Sequence, residues 1–139
     1  MDEKTKLIIP SCAEQISAAK ARELSSLALA FVGDAVYSLI VRVSVVEATG
    51  ARVKELHNIA SSAVKASSQA HLASEILPQL TEEESDVFLR ARNTHVNTIA
   101  KNATVADYKY ATACEALIGY LYLTGRSARL EELLQGKVF

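Results

Sequence analysis

Two carboxylates stand out because each is the only charged side chain in a long apolar stretch. Asp34 is alone in residues 24–40, and Glu115 is alone in residues 110–125. Burying an ionised carboxylate without a partner is costly, so folded proteins normally avoid it. Two such acids on the most hydrophobic segments predict two helices that cross and hold both carboxylates at one site. Gly33, directly before Asp34, would let another backbone or a ligand approach closely.

This carboxylate pair has two interpretations, which the residues alone leave open. The first is a site for a hard divalent cation, because Mg²⁺ prefers oxygen ligands and needs only one or two protein carboxylates. The second is structural, with each buried acid satisfied by Arg42, His57 or a backbone donor. Neither interpretation identifies a substrate.

The bulk composition predicts a helical protein and excludes several classes. Of 139 residues, 50% are hydrophobic and 22% charged, with five glycines, two prolines and a formal net charge of −1. This length suits one domain, and so few backbone breakers favour helix. No apolar run is typical of a signal peptide or membrane span, and Cys12 and Cys114 follow no disulfide or metal pattern, so a cytoplasmic protein with free thiols is expected. The near-neutral charge provides no general footprint for nucleic acid, so any such surface must be local.

Periodicity and capping signals predict a single all-α domain over residues 11–139, after an N-terminal tail at residues 1–10. The run from Ser25 or Ser26 to Gly50 is too long for a strand and predicts a central helix. The other predicted helices are 13–23, 53–77 with a break near His57 and Asn58, 81–92 behind a Thr81–Glu84 capping box, 108–123 behind a Thr104–Asp107 pair, and 128–134, with a loop at 93–103.

Two motifs resemble the ribonuclease III family. Residues 29–36, L-A-F-V-G-D-A-V, are similar to the family signature L-E-F-L-G-D-A-V. Residues 115–119, E-A-L-I-G, followed by Tyr122 and Leu123, are similar to its second catalytic motif, and the two motifs come in the family's order. The stretches L-H-N-I-A-S-S, Q-A-H-L-A and R-A-R-N resemble the Mini-III subfamily, as does the expected lack of a double-stranded-RNA-binding domain after Phe139.

The resemblance implies a metal-dependent endoribonuclease that hydrolyses double-stranded RNA and leaves 5′-phosphate and 3′-hydroxyl ends. Asp34 and Glu115 match the catalytic, metal-binding acids, with Mg²⁺ as the expected ion and Mn²⁺ as a substitute. The ion would activate water and stabilise charge on the scissile phosphate. The subfamily resemblance implies the precursor of large-subunit (23S) ribosomal RNA as substrate, with a ribosomal protein or the assembling large subunit as a further partner.

One site per chain and two RNA strands to cut imply a homodimer. In the family an exposed aromatic residue of the first motif inserts into the partner subunit, and Phe31 matches that position. Periodicity alone favours a core position for Phe31, whereas the motif favours the interface.

Two positions depart from the family pattern. The first glutamate of the family falls on Ala30 and its second aspartate on Thr112, and neither residue can replace a carboxylate. The Mini-III subfamily is similar in having a reduced acid set. Asp107, two helical turns before Glu115, is a candidate supplement, although capping with Thr104 is the simpler role. Two alternatives stay open: a catalytically inactive ribonuclease III-like domain that binds or scaffolds RNA, and a helical dimerisation module whose acids pair with basic groups.

A local basic stretch is the predicted RNA surface. It follows the acidic run at residues 82–86, so charge is segregated along the chain. Contacts with an RNA backbone need such a patch, together with polar groups for phosphates and 2′-hydroxyls. A solvated polar loop is the simpler alternative. The candidate RNA-binding residues are Arg90, Arg92, Asn93, His95 and Lys101.

Overall fold

The protein is described here by a computed structural model that covers residues 14–94 and 104–139. Its helices are α1 (Ala18–Glu23), α2 (Ser26–Thr49), α3 (Val53–Val64), α4 (Ala66–Ile76), α5 (Glu82–Arg92), α6 (Val105–Leu123) and α7 (Ser127–Leu134). A 3-10 turn at Leu77–Gln79 joins α4 to α5 and contains Pro78. No strand occurs in the described ranges, so the expectation of an all-α fold is confirmed. The predicted tail at residues 1–10 lies outside them.

Local signals begin and end the long helices where the sequence predicts. The Ser25 hydroxyl caps α2 by accepting a hydrogen bond from the amide three residues on, at 3.0 Å. Gly50 ends α2 in the left-handed region, with a φ of 59°. Both hydrogen bonds of the Thr81–Glu84 capping box are present, at 3.0 and 3.1 Å, and the Thr104 hydroxyl caps α6. These side chains satisfy amides that an α-helix leaves unpaired at its first turn.

The helices α2 and α6 cross with their backbones in contact. A Cβ atom on Gly33 would lie 1.7 Å from the carbonyl oxygen of Glu115, and one on Gly119 would lie 2.1 Å from the carbonyl oxygen of Leu29. No side chain fits at either position, so glycine is required at both. The prediction that Gly33 permits a close approach is therefore confirmed, and the approaching backbone is that of α6.

The remaining helices enclose this crossing. α4, α5 and α7 pack against α6, and α3 packs against α2. The largest fully buried side chains include Tyr37 of α2, Phe88 of α5 and Tyr120 of α6. This shared core holds α2, α4 and α6 in fixed positions, so that side chains from all three helices lie close to the α2–α6 crossing.

The helical segment at residues 53–77 is interrupted later than predicted. The break falls at Lys65, whose φ and ψ of −69° and 159° are extended, and not near His57 and Asn58. Histidine and asparagine only mildly disfavour helix, so α3 continues through them. At the actual break the Val64 carbonyl accepts a hydrogen bond from the Gln69 side chain at 2.8 Å, which replaces a lost helical bond. The first helix is also shorter than the predicted 13–23 and begins at Ala18.

Both faces of α2 carry apolar residues. Although Asp34, Arg42 and Glu47 interrupt it, this 24-residue helix is long and apolar enough to cross a membrane by length and composition alone, with a mean hydropathy of 1.8 over 18 of its residues. Central helices of globular folds have the same character, and one face of α2 is packed on α6 in the core. The opposite face exposes apolar side chains at Leu27, Phe31, Leu39 and Val46.

The α2–α6 contact predicts a sharp difference between two glycines of the same helix. Gly33→Ala places a methyl group on the α6 backbone, so we expect a loss of about 3 kcal/mol or more in the free energy of unfolding. Gly50→Ala meets no atom within 4 Å and is strained only by its φ of 59°, so we expect a loss of about 1 kcal/mol. Urea unfolding followed by circular dichroism measures both, and equal losses would contradict the crossing.

Candidate active site

Asp34 and Glu115 meet at the crossing of α2 and α6. Asp34 follows Gly33, and the backbone that Gly33 contacts is that of Glu115 itself. The two carboxyl groups are close enough to share a hydrogen bond. The structure therefore brings together the two acids that the sequence singled out, although they are 81 positions apart in the chain.

The two carboxylates differ in exposure, and the expectation that both are buried is wrong for Asp34. Asp34 is exposed, whereas Glu115 is partly buried. Gly33 and Tyr37 face the core from the same stretch of α2, which turns the intervening Asp34 outward at the rim of the crossing. The pair therefore consists of one acid that solvent reaches and one that is set into the protein, as expected of a site that receives a ligand from outside.

The electrostatics of Glu115 show that this site carries excess negative charge. Burial is the main cause that raises the pKa of Glu115 to about 7, and the charge of Asp34 and the hydrogen bond with it act in the same direction. A hydrogen bond from Gln69 opposes them and lowers the pKa. Two carboxylates this close repel each other when both are ionised. A bound cation would relieve that repulsion.

Gln69 is a site residue that the sequence analysis did not single out. It lies on α4 and is 3% exposed. Its side-chain nitrogen donates to Glu115 Oε2 at 3.0 Å and to the Val64 carbonyl at 2.8 Å. Its side-chain oxygen is buried and has no hydrogen-bond partner among the described residues. The only sequence signal for it is its place in the Q-A-H-L-A stretch, because a glutamine on a helix otherwise suggests a surface position.

Arg42 and His57 do not neutralise either acid, which corrects the structural interpretation of the pair. Within the described residues neither side chain forms an ion pair with Asp34 or Glu115. Instead the neutral amide of Gln69 is the donor to Glu115. The carboxylate pair is thus left without a cationic partner from the described part of the protein.

The donors present suit a hard divalent cation with few protein ligands. Asp34 and Glu115 provide carboxylate oxygens, and Mg²⁺ or Mn²⁺ completes its coordination with water and phosphate oxygens. Within the described residues no group of three or more His, Cys, Asp or Glu side chains forms a larger metal cluster. Ala30 and Thr112, where the family has carboxylates, are both buried and small.

Asp107 lies too far along α6 to join the pair readily. It is in the first turn of the helix, eight residues before Glu115, which corresponds to about 12 Å along the axis and roughly 80° around it. Its amide is the donor to the capping hydroxyl of Thr104, at 3.0 Å. A carboxylate in the first turn also interacts favourably with the helix dipole.

The structure separates the candidate RNA-binding residues into three groups. Arg90 is held by the α1–α2 junction, because its guanidinium donates to the carbonyls of Arg22 and Leu24 at 3.2 and 2.9 Å. Arg92 and Asn93 lie together at the end of α5, where the guanidinium of Arg92 donates to Asn93 Oδ1 at 3.1 and 3.2 Å. His95 and Lys101 lie outside the described residues.

Phe31 is not a core residue. Its side chain is 82% exposed, the largest exposure among the large hydrophobic residues of the described chain. It lines a surface depression with Val32, Ala35, Leu39 and Tyr122, and Asp34 is at the edge of the same depression. The periodicity argument for a core position therefore does not hold, and the exposed position that the motif suggests does.

The charge excess at the pair predicts stabilisation by divalent cations. Saturating Mg²⁺ or Mn²⁺ should raise the melting temperature of the protein, since a ligand at about 100 times its Kd stabilises the folded state by about 2.7 kcal/mol. Asp34→Asn should remove most of this rise. Without metal its melting temperature should be no lower than that of the wild type, because Asp34 is exposed. Asp107→Asn is the matched control and should keep the response. Equal responses in wild type and Asp34→Asn would contradict the site.

Comparison with known proteins identifies the family of this arrangement. The Ribonuclease III domain model matches residues 27–126, which contain both acids and both glycines of the crossing. The Mini-ribonuclease 3 of Clostridium tetani is 41% identical over 88% of this chain and 82% of its own length. That of Thermoanaerobacter sp. is 46% identical over 81% of this chain and 79% of its own, and that of Enterococcus faecalis is 44% identical over 81% and 87%.

A solved structure supports the same assignment. The crystal structure of a protein from Fusobacterium nucleatum is similar to this one with a TM-score of 0.74 and 33% sequence identity, over 81% of this chain and 89% of that one. Family model, relatives and fold agree, and this chain belongs to the ribonuclease III family.

Proposed function

We propose that the Asp34–Glu115 pair is the catalytic site of this protein, an endoribonuclease that acts on double-stranded RNA, with Mg²⁺ as the resident ion and Mn²⁺ as a substitute. Its family consists of divalent-metal-dependent endoribonucleases that act on double-stranded RNA. The observation that carries the proposal is the convergence of the two acids at the α2–α6 crossing without a cationic partner. An uncompensated carboxylate pair beside open solvent is suited to a metal ion and a phosphate, and poorly suited to a purely structural role.

The reaction adds water across one phosphodiester bond. The water oxygen bonds to phosphorus, the bond from phosphorus to the 3′ oxygen breaks, and that oxygen takes up a proton, leaving 5′-phosphate and 3′-hydroxyl ends. Asp34 and Glu115 would hold the divalent ion, which would supply Lewis-acid stabilisation of the charge that develops on the phosphate. Exposed Asp34 is accessible to a ligand from solvent, while Gln69 holds the carboxylate of Glu115 in one orientation. This preorganisation lowers the barrier because the groups need not reorder during the reaction.

We infer that two copies of the chain form a homodimer through the exposed apolar face of α2. Leu27, Phe31 and Leu39 lie on that face and are 46%, 82% and 46% exposed. Leu27 and Phe31 are one turn apart, and Leu39 lies about two turns further on, roughly 80° around the axis from Phe31. A protruding phenylalanine beside a depression on the same face allows a self-complementary contact of the kind that two-fold dimers use. Each dimer would then carry two sites, one for each RNA strand.

For the RNA surface we propose Arg92 and Asn93, with His95 and Lys101 from the segment outside the described residues. Arg92 has no carboxylate partner within the described residues, and its guanidinium lies 5.9 Å from the centre of the Tyr110 ring. Arg90 already has a structural role at the α1–α2 junction, so we expect its contribution to RNA binding to be small.

The finer substrate assignment rests on the resemblance to the Mini-III subfamily. We propose precursor of large-subunit ribosomal RNA as the substrate and the cytoplasm as the place of action, with a ribosomal protein or the assembling large subunit as a further partner. All the relatives named above are called Mini-ribonuclease 3, and this chain covers most of their length.

Cleavage of long double-stranded RNA tests the catalytic assignment. Wild-type protein should cut it with Mg²⁺ or Mn²⁺ and leave it intact with excess chelator. Asp34→Asn and Glu115→Gln should each lower the rate by about 100-fold or more, because each removes a metal ligand. Asp107→Asn, which changes an acid of the same helix as Glu115, should cut at close to the wild-type rate. RNA binding without any cleavage by the wild type would instead support the inactive scaffold, which Ala30 and Thr112 favour.

Phe31 tests the dimer. Phe31→Ser removes the most exposed aromatic group of α2, so we expect a shift from dimer to monomer in analytical ultracentrifugation. Val53→Ser is the control, because Val53 is 67% exposed but lies at the start of α3. Both substitutions are at exposed positions and should leave the melting temperature of the monomer nearly unchanged. A wild type that sediments as a monomer, or a Phe31→Ser variant that stays dimeric, would contradict the interface.

A further inference from the structure

A groove between α2 and α3 combines two basic and two hydroxyl side chains with an otherwise apolar lining. Among the described residues its lining contains no Asp or Glu. The part nearest the carboxylate pair has a volume of about 50 Å³ and is lined by Ser38, Arg42, His57, Ala60, Ser61 and Val64. A second part, of about 180 Å³, shares Arg42, His57 and Ala60 and continues toward Val53. Arg42 of α2 and His57 of α3 therefore lie where the two parts of the groove meet.

The smaller part of the groove lies one helical turn from the proposed catalytic site. Asp34, Ser38 and Arg42 are spaced by four residues and lie on one face of α2. This places Arg42 about 12 Å along the helix from Asp34. On the other wall, Val64 lines the groove while its carbonyl accepts from Gln69, whose same amide nitrogen donates to Glu115. A strand of nucleic acid that crosses the carboxylate pair can therefore pass into this groove.

Arg42 differs from most arginines of the protein in having no partner within the described residues. All seven arginines lie in the described ranges. Five are held by carboxylates, carbonyls or neighbouring side chains: Arg22, Arg90, Arg92, Arg126 and Arg129. The two that are not are Arg42 and Arg52, and only Arg42 lines the groove. An exposed guanidinium beside a hydroxyl-lined pocket is available to an external anion.

We propose that Ser38, Arg42, His57 and Ser61 form a binding subsite for one backbone phosphate of the RNA strand that is cut, next to the scissile phosphate. The proposal rests on the proposed function of the carboxylate pair. A guanidinium can bind a phosphate through two parallel hydrogen bonds, while serine hydroxyls and the imidazole N–H donate to the remaining oxygens. Such a contact carries no sequence preference, and its role is to place the strand in register with the carboxylates.

The test measures kcat and KM and locates the phosphate that is contacted. It uses a defined RNA duplex whose main cleavage site has been mapped with the wild-type protein. Arg42→Gln should raise KM by roughly tenfold, the effect of losing one charge-assisted contact, with a much smaller change in kcat. The apparent RNA affinity of Arg42→Gln should depend less on salt concentration, with the slope of log K against log salt reduced in magnitude by about 1. Arg52→Gln is the matched control, since Arg52 is also exposed and unpaired within the described residues, and it should change KM much less.

Single uncharged methylphosphonate linkages, introduced one at a time around the cleavage site, locate the contact. For the wild type and Arg52→Gln, one linkage close to the scissile phosphate should raise KM by roughly tenfold; for Arg42→Gln, that linkage should have little further effect. Equal KM values for Arg42→Gln and Arg52→Gln would contradict the subsite but not the nuclease activity. So would an Arg42→Gln variant with weaker RNA binding whose KM still rises at the same methylphosphonate position as that of the wild type. If the wild type does not cut the duplex at all, the proposed function itself fails.

Discussion

The contact between the backbones of α2 and α6 is the constraint on which the rest of the structure depends. It requires glycine at positions 33 and 119, because any Cβ there would overlap a carbonyl of the facing helix. Close packing of this kind fixes both the height and the rotation of one helix against the other. Asp34 and Glu115 lie at the contact, so the main-chain packing sets the distance between the backbones from which their carboxyl groups extend.

The partial burial of Glu115 has a cost that the α3–α4 junction offsets. Glu115 loses hydration, and its repulsion with Asp34 adds to that loss. Gln69 provides one hydrogen bond to it and uses the same nitrogen to satisfy the Val64 carbonyl, which the break at Lys65 leaves without a helical donor. The helix break and the acid pair are therefore linked through one buried amide. A charged donor at this position would neutralise the pair, whereas the neutral amide leaves its negative charge available to a cation.

The two sides of α2 have different partners, which explains why the helix has no clear amphipathic pattern. One face, with Tyr37 and Ile40, is buried in the core. A second, with Phe31, is apolar and exposed, as a protein–protein interface requires. Asp34 and Arg42 lie on this exposed side too, on either side of Phe31 around the helix axis. A composition that resembles a membrane span therefore arises from two apolar faces with separate roles, interrupted by charged residues.

Much of the fold and the core of the site could be predicted from the sequence because the signals are local. Capping residues and breakers such as Ser25, Thr81 and Gly50 act on their own helix, and the structure places helix ends close to where they predict. The isolation of Asp34 and Glu115 in apolar stretches predicted that their helices cross, since burying such acids separately would be costly. The motif around Phe31 predicted its exposure, which periodicity alone did not.

The tertiary structure alone decided which groups surround the acids. Arg42 and His57 were plausible partners by charge, yet they line a separate groove, and a glutamine 46 residues away in sequence is the donor to Glu115. Likewise the outward position of Asp34 and the engagement of Arg90 with the α1–α2 junction depend on how whole helices pack. Periodicity gives the face on which a side chain lies, but its partner depends on the rotation and offset between helices. Those are set by backbone contacts, here at Gly33 and Gly119, between residues distant in the chain.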